Sequence, residues 1–344
     1  MKSLALFLAL SAVGCSDVHA LPLIDAGSPL VPDSAPSPSR SCRVASPSPM
    51  PAWAGEGCYC DGPFAVRGTF AYRQTYRLET IDISVPGAPR LLGSQASHAF
   101  YSSDVGVVGD VLFTAGGAME RFDLRDPAHP TSLGVLDIGG QATAMAIDGA
   151  RVVAAIARDA TSSALVPIDA HDPRAPVVGR AVELGALGVG TIALRGTLAF
   201  AAARDAGGAS RIVAIDFADV RAPRMLGTLA TSVSWLASVG VHDSRLFIGG
   251  LDTGVRAIDV SDPSAMRDLG VVIAAAPGEQ AVAVTGDVLV VSGSGLALYD
   301  LASPGLAPLG HTDVAANAPH ALIADGQLLG SSGSALFSIP LDCR

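Results

Sequence analysis

The chain has 344 residues, 49% apolar and only 16% charged, with a formal net charge of −10. That acidic balance, spread along the chain without a basic stripe, excludes a nucleic-acid binder, because a phosphate backbone needs clustered positive charge. The mean hydropathy of +0.44 is high, but charges at Arg195, Asp243, Glu279 and Asp287 cut the later apolar runs. They stay short of the roughly 20 residues a spanning helix needs, which leaves sheets buried on both faces as the source of the hydropathy.

The N-terminus reads Met1-Lys2, then an apolar run from Leu4, then Ser11-Ala12-Val13-Gly14-Cys15. A basic residue, an apolar core too short to span a bilayer and small residues before a cut site predict a secretory signal over 1–14. Ala12-Val13-Gly14-Cys15 resembles a bacterial lipobox, with Ala12 where Leu is usual. The resemblance implies lipidation of Cys15 and, with Ser16 following, anchoring at the outer membrane or cell surface. Acylation stabilises such anchoring by roughly 0.8 kcal/mol per buried methylene. Residues 15–46 are rich in Pro, Ser and Ala; they offer little apolar surface to offset ordering entropy and are expected to be a disordered tether.

From Pro47 the chain repeats. Ile81-Asp82-Ile83, Phe122-Asp123-Leu124, Ile168-Asp169-Ala170, Ile215-Asp216-Phe217, Ile258-Asp259-Val260 and Tyr299-Asp300-Leu301 place an Asp every 41, 46, 47, 43 and 41 residues. A seventh copy, Ser338-Ile339-Pro340-Leu341, follows 40 residues on with Pro in place of Asp. Most copies continue into Asp-Pro or Ser-Pro, as at Asp126-Pro127, Asp262-Pro263 and Ser303-Pro304, and then into a Gly such as Gly134, Gly179 or Gly227. Asp or Ser before Pro starts a turn, since the side chain can bond nearby amides and Pro presets φ. The other half of each unit is a short strand ending in a tight turn, as in Val107-Val108-Gly109-Asp110, followed by an apolar strand. Four short strands per unit without helical periodicity predict an all-β, seven-bladed β-propeller of four-stranded blades over 47–344.

The seventh unit stops where its last strand is due, which would leave an unpaired sheet edge. Pro51 to Gly55 repeats the Pro-to-Gly step of Pro130 to Gly134, so an N-terminal strand is expected to complete the last blade. Cys42, Cys58, Cys60 and Cys343 cluster at the two ends of this ring, and export permits disulfides. A Cys42–Cys343 bond would close a loop of about 300 residues, worth roughly 3–5 kcal/mol in the chain-entropy model. Cys58 and Cys60 pairing with each other, or one of them with Cys343, stand beside it. A metal or redox role for Cys-x-Cys finds no Cys/His partner set nearby.

Arg256-Ala257-Ile258-Asp259-Val260-Ser261-Asp262-Pro263 and Ile212-Val213-Ala214-Ile215-Asp216 resemble the LVIVD repeat of bacterial surface and secreted propellers. The resemblance covers nearly everything from Pro47 onward. It marks architecture and brings no common activity or catalytic set.

The recurrent Asp residues sit a blade apart, so they are read as turn-holding groups and not as an acid/base pair. No catalytic residue, metal site or cofactor motif is identified; Ser292-Gly293-Ser294-Gly295 and Gly330-Ser331-Ser332-Gly333 are hairpin turns. Propeller ligands meet loops at a channel mouth, and the links entering the inner strands carry Tyr101, Gln141 and Trp235, with His98 and His320 close by. Those five are the candidate ligand-binding residues. Two functions follow as expectations: a monomeric, non-enzymatic scaffold for a protein or glycan partner, or a propeller hydrolase, lyase or lactonase working at the channel mouth.

Overall fold

A computed structural model of the chain describes residues 42–44 and 63–343, apart from 100–103, 160–161, 186, 234–235, 252, 277–279, 294, 304, 314–320, 325 and 333–334. The regular elements among the described residues are all β-strands, in seven antiparallel sheets that are the blades of a propeller. Blade 1 covers 64–96, blade 2 104–136, blade 3 141–185, blade 4 188–231, blade 5 236–273 and blade 6 281–312. Blade 7 takes Leu322–Ala324, Gln327–Ser332 and Ala335–Cys343 from one end of the chain and its outer strand, Cys42–Val44, from the other. The blades are four-stranded in plan; in blade 3 the outer strand is broken into Val177–Val178 and Val182–Gly185.

An N-terminal strand thus closes the ring, but from a different segment than the repeat pattern indicated. Cys42–Val44 lies within the stretch expected to be tether, so ordered chain starts before residue 47. Pro51 to Gly55 lies outside the described residues. The spacing of prolines imitated the repeat while saying nothing about donors. Cys42, Arg43 and Val44 each keep an N–H for the ladder, whereas Pro47, Pro49 and Pro51 have none. Cys42 also faces inward, 8% exposed, in the apolar seam between blades 6 and 7. The pairing of Cys42 with Cys343, Arg43 with Asp342 and Val44 with Leu341 runs beyond Pro340, the place of the repeat Asp. In blade 1 the outer strand instead pairs back from that Asp, from Asp82 opposite Arg90 to Arg77 opposite Ala96.

The core is divided into seven apolar clusters, one in each seam between neighbouring blades. Phe113 and Ile156 fill the seam of blades 2 and 3, and Phe200 and Ile248 that of blades 4 and 5. Leu329 of blade 7 packs with Phe64 and Ile81 of blade 1, which completes the circle. Every blade except at its edges is therefore covered on both faces, which accounts for the hydropathy without lipid.

Inner strands converge on the axis and must be thin there. Counting three residues back from the first residue of each inner hairpin turn gives Ala65, Gly106, Ala146, Ala193, Gly240 and Ala283 in blades 1 to 6. A Cβ on Gly106 would lie 2.5 Å from Cδ1 of Ile147 in the next blade, and one on Gly240 2.7 Å from Cγ2 of Val284. The two glycines stand where the neighbouring aliphatic leaves no room.

The repeat Asp residues hold turns. Oδ1 of Asp82, Asp123, Asp169, Asp216, Asp259 and Asp300 accepts the backbone N–H two residues on, at 2.9, 2.9, 3.1, 2.9, 2.9 and 3.0 Å. In three blades the second oxygen also meets an Arg eight residues ahead, directly across the sheet: Arg90, Arg224 and Arg267, at 3.4, 3.1 and 2.7 Å. Each turn tucks against the blade before it. Tyr72 Oη donates to the Pro127 carbonyl at 2.9 Å, and Arg174 reaches back to Asp110 and Asp123 at 2.6 Å each. The glycine that follows the second proline serves this contact in some blades. A Cβ on Gly179 would lie 2.2 Å from the Val220 carbonyl oxygen and one on Gly227 2.8 Å from that of Pro263.

Candidate functional site in the central channel

Seven inner strands surround a channel of about 540 Å³ along the axis. Each blade contributes to its wall: Phe64 from blade 1, Asp104 from blade 2, Ile147, Ile192, Val239 and Val282 from blades 3 to 6, and Leu322 from blade 7. Asp104 is the ionisable side chain among the described lining residues; Thr191 and Ser238 add hydroxyls. Each inner strand is an edge strand of its sheet, so its other edge presents backbone N–H and C=O groups, some of which are bonded to the neighbouring blade, as Ala142 is to Gly117.

Asp104 opens the inner strand Asp104–Val108, at the end of the channel where the links arrive. Its Oδ2 accepts the Met145 backbone N–H of blade 3 at 2.7 Å. Ser238 does the same job in blade 5, where its Oγ accepts the Val282 N–H of blade 6 at 2.5 Å. Both residues lie five positions before the inner hairpin turn, at Gly109 and Asp243. A carboxyl therefore occupies a place that a hydroxyl can fill. Burial pushes Asp104 up to about 7, against the opposing pull of the Met145 N–H.

A second carboxyl fastens the link between blades 1 and 2. Glu120, 1% exposed, accepts Ser97 Oγ at 2.9 Å, the His98 N–H at 2.7 Å and Ser132 Oγ at 2.8 Å, and lies 3.1 Å from His98 Nδ1. Burial raises its pKa, but the His98 N–H, the Ser132 hydroxyl, the His98 ring and the Ser97 hydroxyl together outweigh that and hold it below the ordinary value. An ionised carboxylate with four donors is a strong pin.

Of the five residues expected at the channel mouth, two are described. His98 is in the link, its side chain 70% exposed, with one ring nitrogen against Glu120. Gln141 opens the inner strand of blade 3 and is exposed. Tyr101, Trp235 and His320 lie outside the described residues, as do Cys15, Cys58 and Cys60. No group of three or more His, Cys, Asp or Glu that could hold a metal ion occurs among the described residues. Sequence reading passed over Asp104 and Glu120. Aligning the blades on their inner turns exposes the first, as an Asp in a column with Thr191 and Ser238; the second is one of three charged residues in the strand Ala118–Asp123, with nothing local to single it out.

No protein-family model and no curated protein matches the chain. Among solved structures it is similar to the computationally designed protein Ika8, with a TM-score of 0.56 and 12% identity, over 83% of this chain and 98% of that one. It is also similar to a putative 6-phosphogluconolactonase from Bacteroides uniformis, with a TM-score of 0.55 and 16% identity, over 68% of this chain and 78% of that one. At these identities the likeness shows the propeller fold alone.

Proposed function

We propose that the chain is a cell-envelope lipoprotein, anchored through Cys15, whose LVIVD-type propeller is a non-enzymatic scaffold for a protein or glycan partner. The observation that carries binding over catalysis is the makeup of the channel. Aliphatic and small side chains dominate the described wall, with Asp104 as its single carboxyl; hydrolysis at a propeller mouth calls for several convergent acids, bases or metal ligands. The repeated carboxylates are engaged in holding turns. A Cys42–Cys343 disulfide latching the ring belongs to the same proposal, supported by the register that sets those two residues opposite each other.

Two measurements test it. Metabolic labelling with a palmitate analogue should mark the wild type, place it in the membrane fraction, and fail with Cys15→Ser. A wild type that stays unlabelled and soluble contradicts the anchor. Separately, the purified ring should bind an envelope protein or glycan saturably while showing no turnover across a panel of lactones and esters. Turnover that survives purification and vanishes with a channel substitution would replace the scaffold by the hydrolase reading.

A further inference from the structure

We infer that the outer edge of blade 5 is a self-association surface, through which two copies of the chain pair about a two-fold axis. Nine large apolar side chains stand well exposed among the described residues, and four of them gather here. Leu269, Val271 and Val272 lie on the outer strand Arg267–Ile273, at 55, 51 and 40% exposure, and Leu251 is at 45%. The loop of Leu251 comes alongside that strand at Gly254, where a Cβ would lie 3.1 Å from Val271 Cγ1. From Leu269 to Ala276 the chain carries no charge. Single apolar residues are ordinary on a surface, whereas a contiguous cluster marks a place of contact.

The exposure is particular to this blade. In blades 2, 4 and 6 the pairing of the outer strand skips the leucine before the repeat glycine, which bulges there and turns into the following seam. Leu133 and Leu226 pack in their seams and Leu309 is 6% exposed. Leu269 is skipped in the same way but stays in solvent. The adjoining turn of blade 6 is one residue shorter than the rest. Ala307 lies opposite Asp300, seven positions on, where blades 1 to 5 take eight, as from Asp259 to Arg267. A second bulge at Val272 interrupts the edge again, so a partner is held by side chains and not by an added strand.

What fits this patch is another like it. Beside Leu269 lies Gly270, where a Cβ would meet nothing within 4 Å; under a two-fold axis the leucine of each copy can seat at the open glycine of the other. The bordering charges are neutralised inside the blade, Arg267 by Asp259 at 2.7 Å and Arg256 by Asp268 at 2.8 Å. Covering them strands no ion, and a basic partner, which the net charge of −10 would attract elsewhere, gains nothing here. The area is at the small end of specific interfaces, below about 1,200 Å² in total, so association is reversible, with a Kd on the order of 10–100 µM.

The test is sedimentation velocity on the mature chain carrying Cys15→Ser, so that no acyl group contributes to association, from about 2 to about 400 µM. The boundary should shift from monomer to dimer across that range. Leu269→Glu and Val271→Glu should each weaken the dimer at least about ten-fold and leave the melting transition in place, because both side chains already meet water. Val135→Glu is the control. Val135 follows the repeat glycine of blade 2 as Val271 follows that of blade 5, is 49% exposed, and its substitution should leave the Kd unchanged. A chain with Leu269→Lys and Val271→Lys, mixed with one carrying Leu269→Glu and Val271→Glu, should form heterodimers while each alone stays monomeric. A wild-type surface that is monomeric at about 400 µM overturns the inference. So do a dimer that survives both Glu variants, an equal loss with Val135→Glu, and a mixture without heterodimers. The outcome is independent of the partner reading, which is tested on protein and glycan ligands.

Discussion

The two ends of the ring obey different rules. At the end carrying the Asp-Pro turns, six blades repeat one hydrogen bond, an Asp Oδ1 accepting the amide two residues on. At the end where each blade hands over to the next, the chemistry changes from blade to blade. Glu120 fastens one link, Asp104 reaches across another seam, and Ser238 substitutes a hydroxyl at the place equivalent to Asp104. Repetition at one end answers a need every blade shares, the reversal of its last two strands. Variation at the other end is what a binding surface requires, since identical loops around an axis could not distinguish a ligand. Similar side chains consequently behave in opposite ways. Asp259 is held down to about 2 by the Ser261 hydroxyl and amide and by Arg267, while Asp104 is pushed up to about 7 by burial.

The contrast can be broken most forcibly at Glu120. Glu120→Ala leaves the buried Ser97 hydroxyl without this acceptor, frees the part-buried His98 and Ser132 donors, and should cost about 1–3 kcal/mol in urea unfolding. A loss under about 1 kcal/mol would mean that the link is not fastened there. Next in size is the seam glycine. Gly179→Ala drives a Cβ against the Val220 carbonyl and should cost about 1–3 kcal/mol. Gly93→Ala, at the same place in the motif but with open space around it, should be neutral or gain about 0.4–1 kcal/mol. Equal effects at the two sites would show that the repeat glycine has one uniform role.

Asp104→Ser sharpens the contrast from the other side. A carboxyl raised from its ordinary value favours the folded state while protonated; that advantage is full below about 4 and is lost as pH rises through about 7. The Ser variant should therefore be more stable than wild type at pH 8, by about 1–3 kcal/mol, and indistinguishable from it at pH 4. A variant less stable than wild type at both pH values would mark Asp104 as purely structural. The smallest effect is expected at the turns. Asp123 and Asp259 are lowered to about 2, so their contribution is present above pH 4 and fades as pH falls toward 2. Asp259→Asn should lower the melting temperature slightly at pH 7 and flatten its decline between pH 4 and 2. An unchanged acid profile would remove the charge from the explanation of the turn.

The turn end was legible in the sequence because its determinants are local. An Asp two residues before the amide it accepts, followed by Pro, writes the turn into a few adjacent letters, and six copies announce the ring. Closure was legible as a need and misplaced in position. The Pro-to-Gly spacing pointed to Pro51, but the closing strand is Cys42–Val44, where short Cys-Arg-Val offers no repeat signature and only the pairing across the chain ends reveals it. The channel was the least legible part. Asp104 contacts Met145, 41 positions away in sequence, and Glu120 gathers donors from both sides of itself in the chain. Neither has a spacing that a motif could record. His98 was singled out for its place near the links at the mouth; the partner that fixes it, Glu120, lies inside a strand.

The contrast between the two ends is tested most directly by titrating selectively 13Cγ-labelled Asp carboxyls by NMR across the pH range in which the protein stays folded. Asp104 is predicted to titrate near 7, with Asp123 and Asp259 still fully ionised at pH 4 and beginning to protonate only toward 2. A common midpoint near 4 for all three, the value of an ordinary exposed Asp, would contradict the division of the ring into a turn end whose carboxyls are held ionised and a channel end whose carboxyl is pushed toward its neutral form.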